Sequence, residues 1–350
     1  MSKINIIYLL PESKYPVGGA KVIYNHSFIL NNLDKKISSK IIHLKKRFSY
    51  KFENSISKRI NFLGNNYSGW EVKKMKASKN FLPHRNWYNK KIYLGDSLNF
   101  NNEKDFIILP EIWAHFAVDL GLIKKKINYS IFVQGFYHMN STNNYKKFKS
   151  AYENAKSIIT VSDYSVAYLK KMFPKMKNKI QKLNFSVSDK IHIKKKKNLI
   201  VFMPRKLKDH SNLLMFYLKD MMPKNWKITA LENISEKKLF EILAKSKIFL
   251  SFSHLEGTGI PPIEAALSGN KIIGYTGGGG NSYWKKPIFT KVENGEIYDY
   301  GQKVLNFVKK YNSKWIKDSY KQRAKLSSIY SEESEKRSLK KFTKNILKFF

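Results

Sequence analysis

The sequence of 350 residues contains no cysteine, which excludes disulfide bonds, thiolate zinc sites, iron–sulfur clusters and a cysteine nucleophile, and fits a reducing compartment. It also lacks any run of about 18 apolar residues that could span a bilayer. The apolar run at the start, Ile4 and Ile6 to Leu10 interrupted by Asn5, ends at Pro11 and Glu12 without a small-residue cleavage site. The sequence therefore predicts a cytosolic protein with neither a signal peptide nor a membrane span.

Acidic residues and arginine are both scarce. There are 26 Asp and Glu against 66 Lys and Arg, which gives a formal net charge of +40. Only six of the basic residues are arginine, whereas specific recognition of phosphates and bases favours the bidentate guanidinium group. The lysines are spread evenly along the chain, which favours solvated faces. An anionic membrane surface and nucleic acid remain alternatives for this charge.

Short apolar runs alternate with amphipathic stretches, a pattern typical of α/β proteins with parallel sheets. In the first half we predict strands at 3–10, 39–44, 106–110, 129–134 and 157–162. The lysine-rich stretch 186–198 is predicted to be a solvated linker, because like charges repel. After it the pattern restarts, with strands predicted at 198–203, 226–231, 248–253 and 271–275.

The length and the restart of the pattern predict two Rossmann-like domains with a cleft between them. The predicted boundaries are a first domain over 1–188, a second domain over 189–330 and a final helix over 331–350.

The segment 254–284, HLEGTGIPPIEAALSGNKIIGYTGGGGNSYW, concentrates glycine, proline and acid. Its paired prolines stand where proline opens a helix, which predicts Glu264 in the first turn. Four consecutive glycines follow the next strand, and no core packing is expected to require them. Gly278 and Gly279 of this run are candidates for binding a diphosphate through backbone amides, and Glu256 and Glu264 for accepting hydrogen bonds from ligand hydroxyls. The disfavoured alternative is that the glycines and prolines only shape loops and that a Glu only caps the helix.

A second glycine-containing loop, YPVGGAKV at 15–22, directly follows the first predicted strand. Gly18 and Gly19 allow a tight turn, and the helix predicted over 20–33 presents free amides at its start. Such a loop can admit a phosphate or sugar closely, and an ordinary strand–helix turn is the alternative.

Glu256 and Glu264, with seven residues between them, match the E-x7-E signature of retaining glycosyltransferases with the GT-B fold. The block EGTGIPPIEAALSGNKIIGY resembles that of the bacterial mannosyl-, glucosyl- and rhamnosyltransferases of surface polysaccharides, a group similar to glycosyltransferase family 4. The resemblance implies that Glu256 contacts the donor sugar and that Glu264 binds the nucleotide ribose. It also implies that the amides of Gly257, Thr258 and Gly259 face the sugar and phosphates.

The resemblance extends to other segments. Gly18 and Gly19 match the family's N-terminal glycine loop beside the donor phosphate, and Gln134 in FVQGFYH falls where the family places a His or Gln near the donor sugar. Arg205 in FMPRKLKD matches the Arg that neutralises the leaving diphosphate. Either Lys206 or Lys208 would take the role of the family's Lys.

Together these matches imply transfer of a hexose or deoxyhexose from a nucleotide-diphosphate sugar to a glycan or lipid-linked acceptor. The transfer would be retaining, and no D-x-D metal motif occurs in the sequence, in accord with the family's metal-independent chemistry. Glu256, Arg205 and Lys206 would be the catalytic residues, with the cations and the loop amides supplying the positive field. No cofactor is expected. Further possible contacts are His115, His138 and His254.

The resemblance also assigns roles to the parts of the chain. The first domain would bind the acceptor, the second would bind the nucleotide sugar, and the final helix would cross back to the first domain. Because lipid-linked acceptors lie at anionic membranes, the basic charge is also compatible with a peripheral membrane position.

Three alternatives stay open. One is a non-catalytic protein that binds polyanions or nucleic acid, although no helix-turn-helix, zinc-finger or RNP motif is recognisable. Another is a GT-B epimerase or phosphorylase, and a phosphorylase would need a cofactor lysine that the sequence does not reveal. The third is a degenerate sugar-binding domain, which the joint presence of Glu256, Glu264 and Arg205 disfavours. The donor base, sugar, acceptor and linkage are left open.

Overall fold

The computed structural model describes residues 3–13, 17–45, 48–50, 70–72, 76–78, 81, 88–139, 145–312 and 314–350. The chain divides into two compact units. The first unit comprises Met1–Phe185 together with Glu335–Phe350, and the second unit comprises Ser186–Ser334.

The first unit is built around a mostly parallel sheet. The strands of the unit are β1 (Ile4–Pro11), β2 (Ile37–Lys45), β3 (Phe48–Tyr50), β4 (Trp70–Val72), β5 (Lys76–Ala77), β6 (Asp105–Pro110), β7 (Asn128–Val133), β8 (Ser157–Thr160) and β9 (Ile180–Lys182), of which β3 and β4 form a separate antiparallel pair. In the described residues seven of them pair in the order β5-β2-β1-β6-β7-β8-β9, and only β2 with β5 is antiparallel. Strand order reverses between β1 and β6, where open α/β sheets commonly bind ligands at their carboxyl ends.

Helices cover this sheet, and its central strands β6 and β7 are buried along their whole length. The α-helices are α1 (Gly18–Leu33), α2 (Phe116–Asp119), α3 (Tyr145–Asn154) and α4 (Asp163–Met172). Short 3-10 helices occur at Glu111–Trp113, Phe136–His138 and Pro174–Lys179.

The second unit repeats the design with a parallel sheet. Its strands are β10 (Leu199–Phe202), β11 (Lys227–Ala230), β12 (Ile248–Glu256), β13 (Lys271–Gly278) and β14 (Phe289–Lys291). They pair in the order β11-β10-β12-β13-β14, with the reversal between β10 and β12. The helices are α5 (Lys208–Leu218), α6 (Glu236–Lys245), α7 (Ile260–Leu267), α8 (Ile297–Lys310), α9 (Trp315–Asp318) and α10 (Tyr320–Ile329), with a 3-10 helix at Gly279–Ser282.

The last helix, α11 (Glu332–Ile346), continues into a 3-10 helix at Leu347–Phe349. From Glu335 onward it belongs to the first unit, where the Phe342 ring meets Phe106 edge-on with the ring centroids 6.3 Å apart. The Ser338 hydroxyl accepts a hydrogen bond from the Asn184 amide at 3.0 Å. Burial of one apolar face therefore holds this helix on the first sheet.

The α/β class and the parallel sheets predicted from the sequence are confirmed. The stretch 186–198 contains no helix or strand, as predicted, but it is not solvated throughout. Lys196 donates to the backbone oxygens of Ser268 at 2.6 Å and Leu243 at 3.3 Å, and burial lowers its pKa to about 7. Within the described residues, no helix is both long and apolar enough to cross a membrane.

Candidate functional site

The carboxyl edge of the second sheet brings Lys206 and Glu256 together. Strand β10 leads directly to Arg205 and Lys206, and its neighbour β12 ends at Glu256. The Lys206 ammonium donates to Glu256 Oε1 at 2.5 Å and to the backbone oxygen of His254 at 3.4 Å. Because strand order reverses between β10 and β12, this contact lies at the position where such sheets bind ligands.

The contact between Lys206 and Glu256 is only partly shielded from water. The two side chains are 37% and 27% exposed, so the pair contributes about 1 kcal/mol or less to stability. Its partial exposure leaves both charges within reach of a ligand. Arg205 is exposed beside it, and Lys208 is the exposed first residue of α5. Of the two lysines that the sequence left open, the one that contacts Glu256 is Lys206.

The turn that carries Glu256 has an unusual backbone. Leu255 adopts a left-handed conformation with a φ of 49°, which costs a non-glycine residue about 1–2 kcal/mol. Gly259, at the other end of the turn, has a φ of 81°. The pairing of β12 with β13 also shifts register between Ser253 and Glu256. The chain therefore leaves the regular strand geometry where the carboxylate is presented.

The four-glycine run packs closely against this turn. A Cβ on Gly279 would lie 2.1 Å from the backbone oxygen of Gly257, and one on Gly277 would lie 3.0 Å from Glu256 Cγ. Gly277 and Gly278 have φ values of 64° and 84°. The expectation that no packing requires these glycines is wrong for Gly277 and Gly279, because only a missing side chain admits the Glu256 turn.

Tyr283 is a residue that the sequence reasoning missed. Its hydroxyl lies 2.8 Å from the backbone oxygen of Gly259 and 3.1 Å from that of Thr258. The side chain is buried, and burial raises its pKa well above the usual value. A tyrosine after a glycine run has no spacing that identifies it, so only the folded chain reveals this contact.

Helix α7 begins one residue earlier than its prolines imply. It starts at Ile260, directly after the left-handed Gly259, with Pro261 and Pro262 in its first turn. The prediction that Glu264 lies in that first turn is wrong, because the early start places Glu264 in the second turn. Glu264 is half-buried, whereas Gly257, Thr258 and Gly259 are buried.

In the first unit the predicted residues Gly19 and Gln134 meet. The Gln134 side-chain amide, just after β7, donates to the Gly19 backbone oxygen at 2.9 Å, within the first turn of α1. A Cβ on Gly19 would lie 2.6 Å from Gln134 Oε1, so glycine allows the close approach. Gly18 begins α1. Residues 15 and 16 of the same loop lie outside the described residues.

Glu111, which immediately follows β6, is a second residue that the sequence reasoning missed. Its side chain is buried, and Oε1 accepts a hydrogen bond from the Gly135 amide at 2.9 Å. Burial raises the pKa of this carboxyl to about 7, against the opposing effect of hydrogen bonds from backbone amides. Glu111 therefore anchors the loop that carries Gln134.

The candidate histidines occupy different surroundings. His115 is buried, and burial lowers its pKa to about 4. The His138 side chain lies outside the described residues, and His254 is half-buried beside Lys206. Across the described part of the chain, no three His, Asp or Glu side chains are grouped so as to hold a metal ion.

Neither a protein-family model nor a curated protein matches this sequence. Solved structures do match over nearly the full length. A glycosyltransferase from Rickettsia africae is 13% identical, with a TM-score of 0.64 over 99% of this chain and 100% of that one. The lipopolysaccharide outer core galactosyltransferase WaaB is 14% identical, with a TM-score of 0.61 over 99% and 100%.

The pneumococcal O-GlcNAc transferase GtfA, solved in complex with UDP and GlcNAc, is 12% identical to this chain. Its TM-score is 0.59 over 99% of each chain. At these identities the likeness establishes the architecture alone. The two parallel sheets and the full-length matches show that the chain has the GT-B fold of glycosyltransferases.

Proposed function

We propose that this protein is a glycosyltransferase that moves a hexose or deoxyhexose from a nucleotide-diphosphate sugar to a glycan or lipid-linked acceptor. The observation that carries the proposal is the contact between Lys206 and Glu256 at the strand-order reversal of the second sheet. An ion pair with only a structural role would not need to lie at the strand-order reversal. Because this pair is partly exposed, it contributes little to the stability of the fold. A reacting ligand with an anionic part and a hydroxylated part uses both charges.

The proposed roles follow from the charge that develops during transfer. As the bond to the sugar breaks, negative charge grows on the leaving diphosphate and positive charge on the ring. Arg205 and Lys206 stabilise the diphosphate, and the Glu256 carboxylate accepts a hydrogen bond from the sugar. Glu264 binds the ribose. Lys206 then exchanges part of its contact with Glu256 for the phosphate.

The donor class is supported by the bound molecules of the structural neighbours. GtfA was solved with UDP, and the matching starch synthase IV from Arabidopsis thaliana was solved with ADP and acarbose. A nucleoside diphosphate at the carboxyl edge of the second unit agrees with the position of Arg205 and Lys206. The retaining outcome rests on the E-x7-E resemblance, and transfer without a metal rests on these two cations acting as the counter-charge.

The acceptor is assigned to the first unit. Gly18, Gly19 and Gln134 of the same unit are instead proposed to lie near the donor phosphate and sugar, as the family resemblance implies, and the buried Glu111 anchors the loop that carries Gln134. The net charge of +40 supports an acceptor held at an anionic membrane surface, with the protein in the cytoplasm and peripheral to that membrane.

A screen of UDP-, GDP-, ADP- and dTDP-sugars tests the proposal, with thermal shift and release of nucleoside diphosphate measured with and without EDTA. We expect one donor class to raise the melting temperature by mass action and to be turned over equally in EDTA. If no donor shifts the protein or is turned over, the transferase proposal fails. Binding of heparin or nucleic acid that weakens steeply with salt would then support a polyanion-binding protein.

A further inference from the structure

The turn from Glu256 to Gly259 is not held by regular strand pairing. Its pairing with β13 breaks register before Glu256, and Leu255, which directly precedes the turn, and Gly259, which ends it, both have positive φ. A backbone in such sparsely populated conformations persists only where the surrounding structure over-determines it. Something outside the turn must therefore hold it.

The segment after β13 supplies that support on two sides. Gly277 lies under the Glu256 side chain, where a Cβ would come within 3.1 Å of Glu256 Cβ and 2.9 Å of Ser253 Cβ. Gly279 lies against the backbone, where a Cβ would come within 2.6 Å of the Glu256 oxygen. These contacts limit how far the turn can move toward β13, but they are steric and do not pull the turn back.

An attractive contact to the backbone of the turn comes from Tyr283. Its hydroxyl has one hydrogen to donate, and the backbone oxygens of Gly259 and Thr258 stand 2.8 Å and 3.1 Å away. The ring is fixed by edge-on neighbours, with centroid distances of 5.3 Å to Phe289 and 6.1 Å to Tyr330. A rigid, buried ring thus delivers one hydrogen bond to two successive carbonyls of the turn.

We propose that Tyr283 is a positioning residue, which fixes the Glu256–Gly259 turn through these two carbonyls and so sets where the Glu256 carboxylate meets the donor sugar. Its action in the reaction rests on the function proposed above. Tyr283 itself does not contact the reacting atoms. Its effect on rate arises because catalytic groups must be held within about 0.5 Å of the productive geometry.

A matched pair of variants tests the proposal, because the second unit contains a similar tyrosine elsewhere. The buried Tyr300 hydroxyl lies 2.9 Å from the backbone oxygen of Ile273 and 3.2 Å from that of Ser251, inside the paired strands β12 and β13. Tyr283→Phe and Tyr300→Phe each remove one hydroxyl that donates to two carbonyls. They differ in whether those carbonyls belong to the Glu256 turn.

The first measurement is hydrogen exchange of a peptide covering residues 254–260, followed by mass spectrometry without any substrate. We expect exchange to accelerate about tenfold in Tyr283→Phe and to stay at the wild-type rate in Tyr300→Phe. Equal exchange in the two variants overturns the proposal. This measurement does not depend on the transferase activity. It therefore distinguishes failure of the positioning proposal for Tyr283 from failure of the proposed transferase function.

The second measurement is steady-state transfer with the donor found in the screen. For Tyr283→Phe we expect kcat to fall about ten- to hundredfold while the donor KM changes less than about threefold. The reason is that a misplaced Glu256 carboxylate stabilises the transition state less but affects donor binding little. Tyr300→Phe should keep the wild-type kcat. Faster exchange without a loss of kcat overturns the positioning role, whereas a wild-type chain that turns over no donor overturns the proposed function.

Discussion

The two units use the same strand order around the reversal, yet their carboxyl edges carry different chemistry. In the second unit two opposite charges meet, Lys206 and Glu256, on a turn with left-handed backbone. In the first unit a neutral amide meets a carbonyl, Gln134 with Gly19, beside a buried acid, Glu111. One architecture therefore presents a partly exposed ion pair at one edge and a neutral hydrogen bond at the other.

The units also differ in how they bury histidine. In the first unit burial lowers the pKa of three histidines to about 4, namely His26, His43 and His115. The histidines of the second unit, His192, His210 and His254, all keep part of the side chain exposed. The first unit should therefore be the more sensitive to acid.

The largest expected effect is on the charged edge. Lys206→Met should lower donor turnover about 10²- to 10³-fold, because the leaving diphosphate loses a preorganised cation. Lys303→Met is the matched control, since Lys303 forms an ion pair with Asp299 at 2.7 Å with similar exposure on α8. Both turnover numbers are measured with saturating donor. Equal losses in the two variants would contradict a specific role of Lys206 at the charged edge.

Lowering the pH should destabilise the first unit before the second. A histidine with a folded pKa of about 4 and an unfolded value near 6.5 contributes full stability above pH 6.5, and up to about 3 kcal/mol is lost as the pH falls toward 4. Glu111, with its pKa raised to about 7, gains stability over the same range but is a single group. We expect hydrogen-exchange protection factors to drop in the first unit at a higher pH than in the second.

A variant ties this acid response to one residue. His43→Gln should make the hydrogen-exchange protection of the first unit less dependent on pH. His192→Gln should leave this pH dependence unchanged, because His192 is exposed. Loss of protection at the same pH in both units, with no effect of His43→Gln, would refute the assignment.

The smallest expected effect is on the neutral edge. Gln134→Leu removes one hydrogen bond to Gly19 and should cost the first unit about 1 kcal/mol, measured by urea unfolding. Donor turnover should fall less than about tenfold, well below the loss for Lys206→Met. A turnover loss as large as that for Lys206→Met would instead make both edges part of the charge chemistry.

Features encoded within a few residues of sequence were predictable. The alternation of apolar runs predicts both sheets, and the spacing of glycine, proline and acid marks the turn at Glu256. Strands β5, β9 and β14 span only two or three residues, too few for a periodic pattern, and were not predicted. The linker prediction fails at Lys196 because composition cannot tell which lysine finds buried carbonyls.

The supporting residues were not predictable, because each acts on a distant part of the chain. Glu111 contacts the amide of Gly135, and Tyr283 contacts the carbonyl of Gly259, each 24 residues away in sequence. A lone acid after a strand or a lone tyrosine after a glycine run has many structural uses. Only the folded chain shows which backbone groups they hold.

The transferase assignment is tested most directly by the donor turnover of Glu256→Gln beside that of Asp299→Asn. Each variant removes one carboxylate charge from an ion pair of the second unit. Both variants should keep the wild-type fold, since each pair is partly exposed and contributes little to stability. We predict that Glu256→Gln loses at least about 10²-fold in kcat while Asp299→Asn retains wild-type activity. Full activity of Glu256→Gln would contradict the assignment of this edge as the site of transfer.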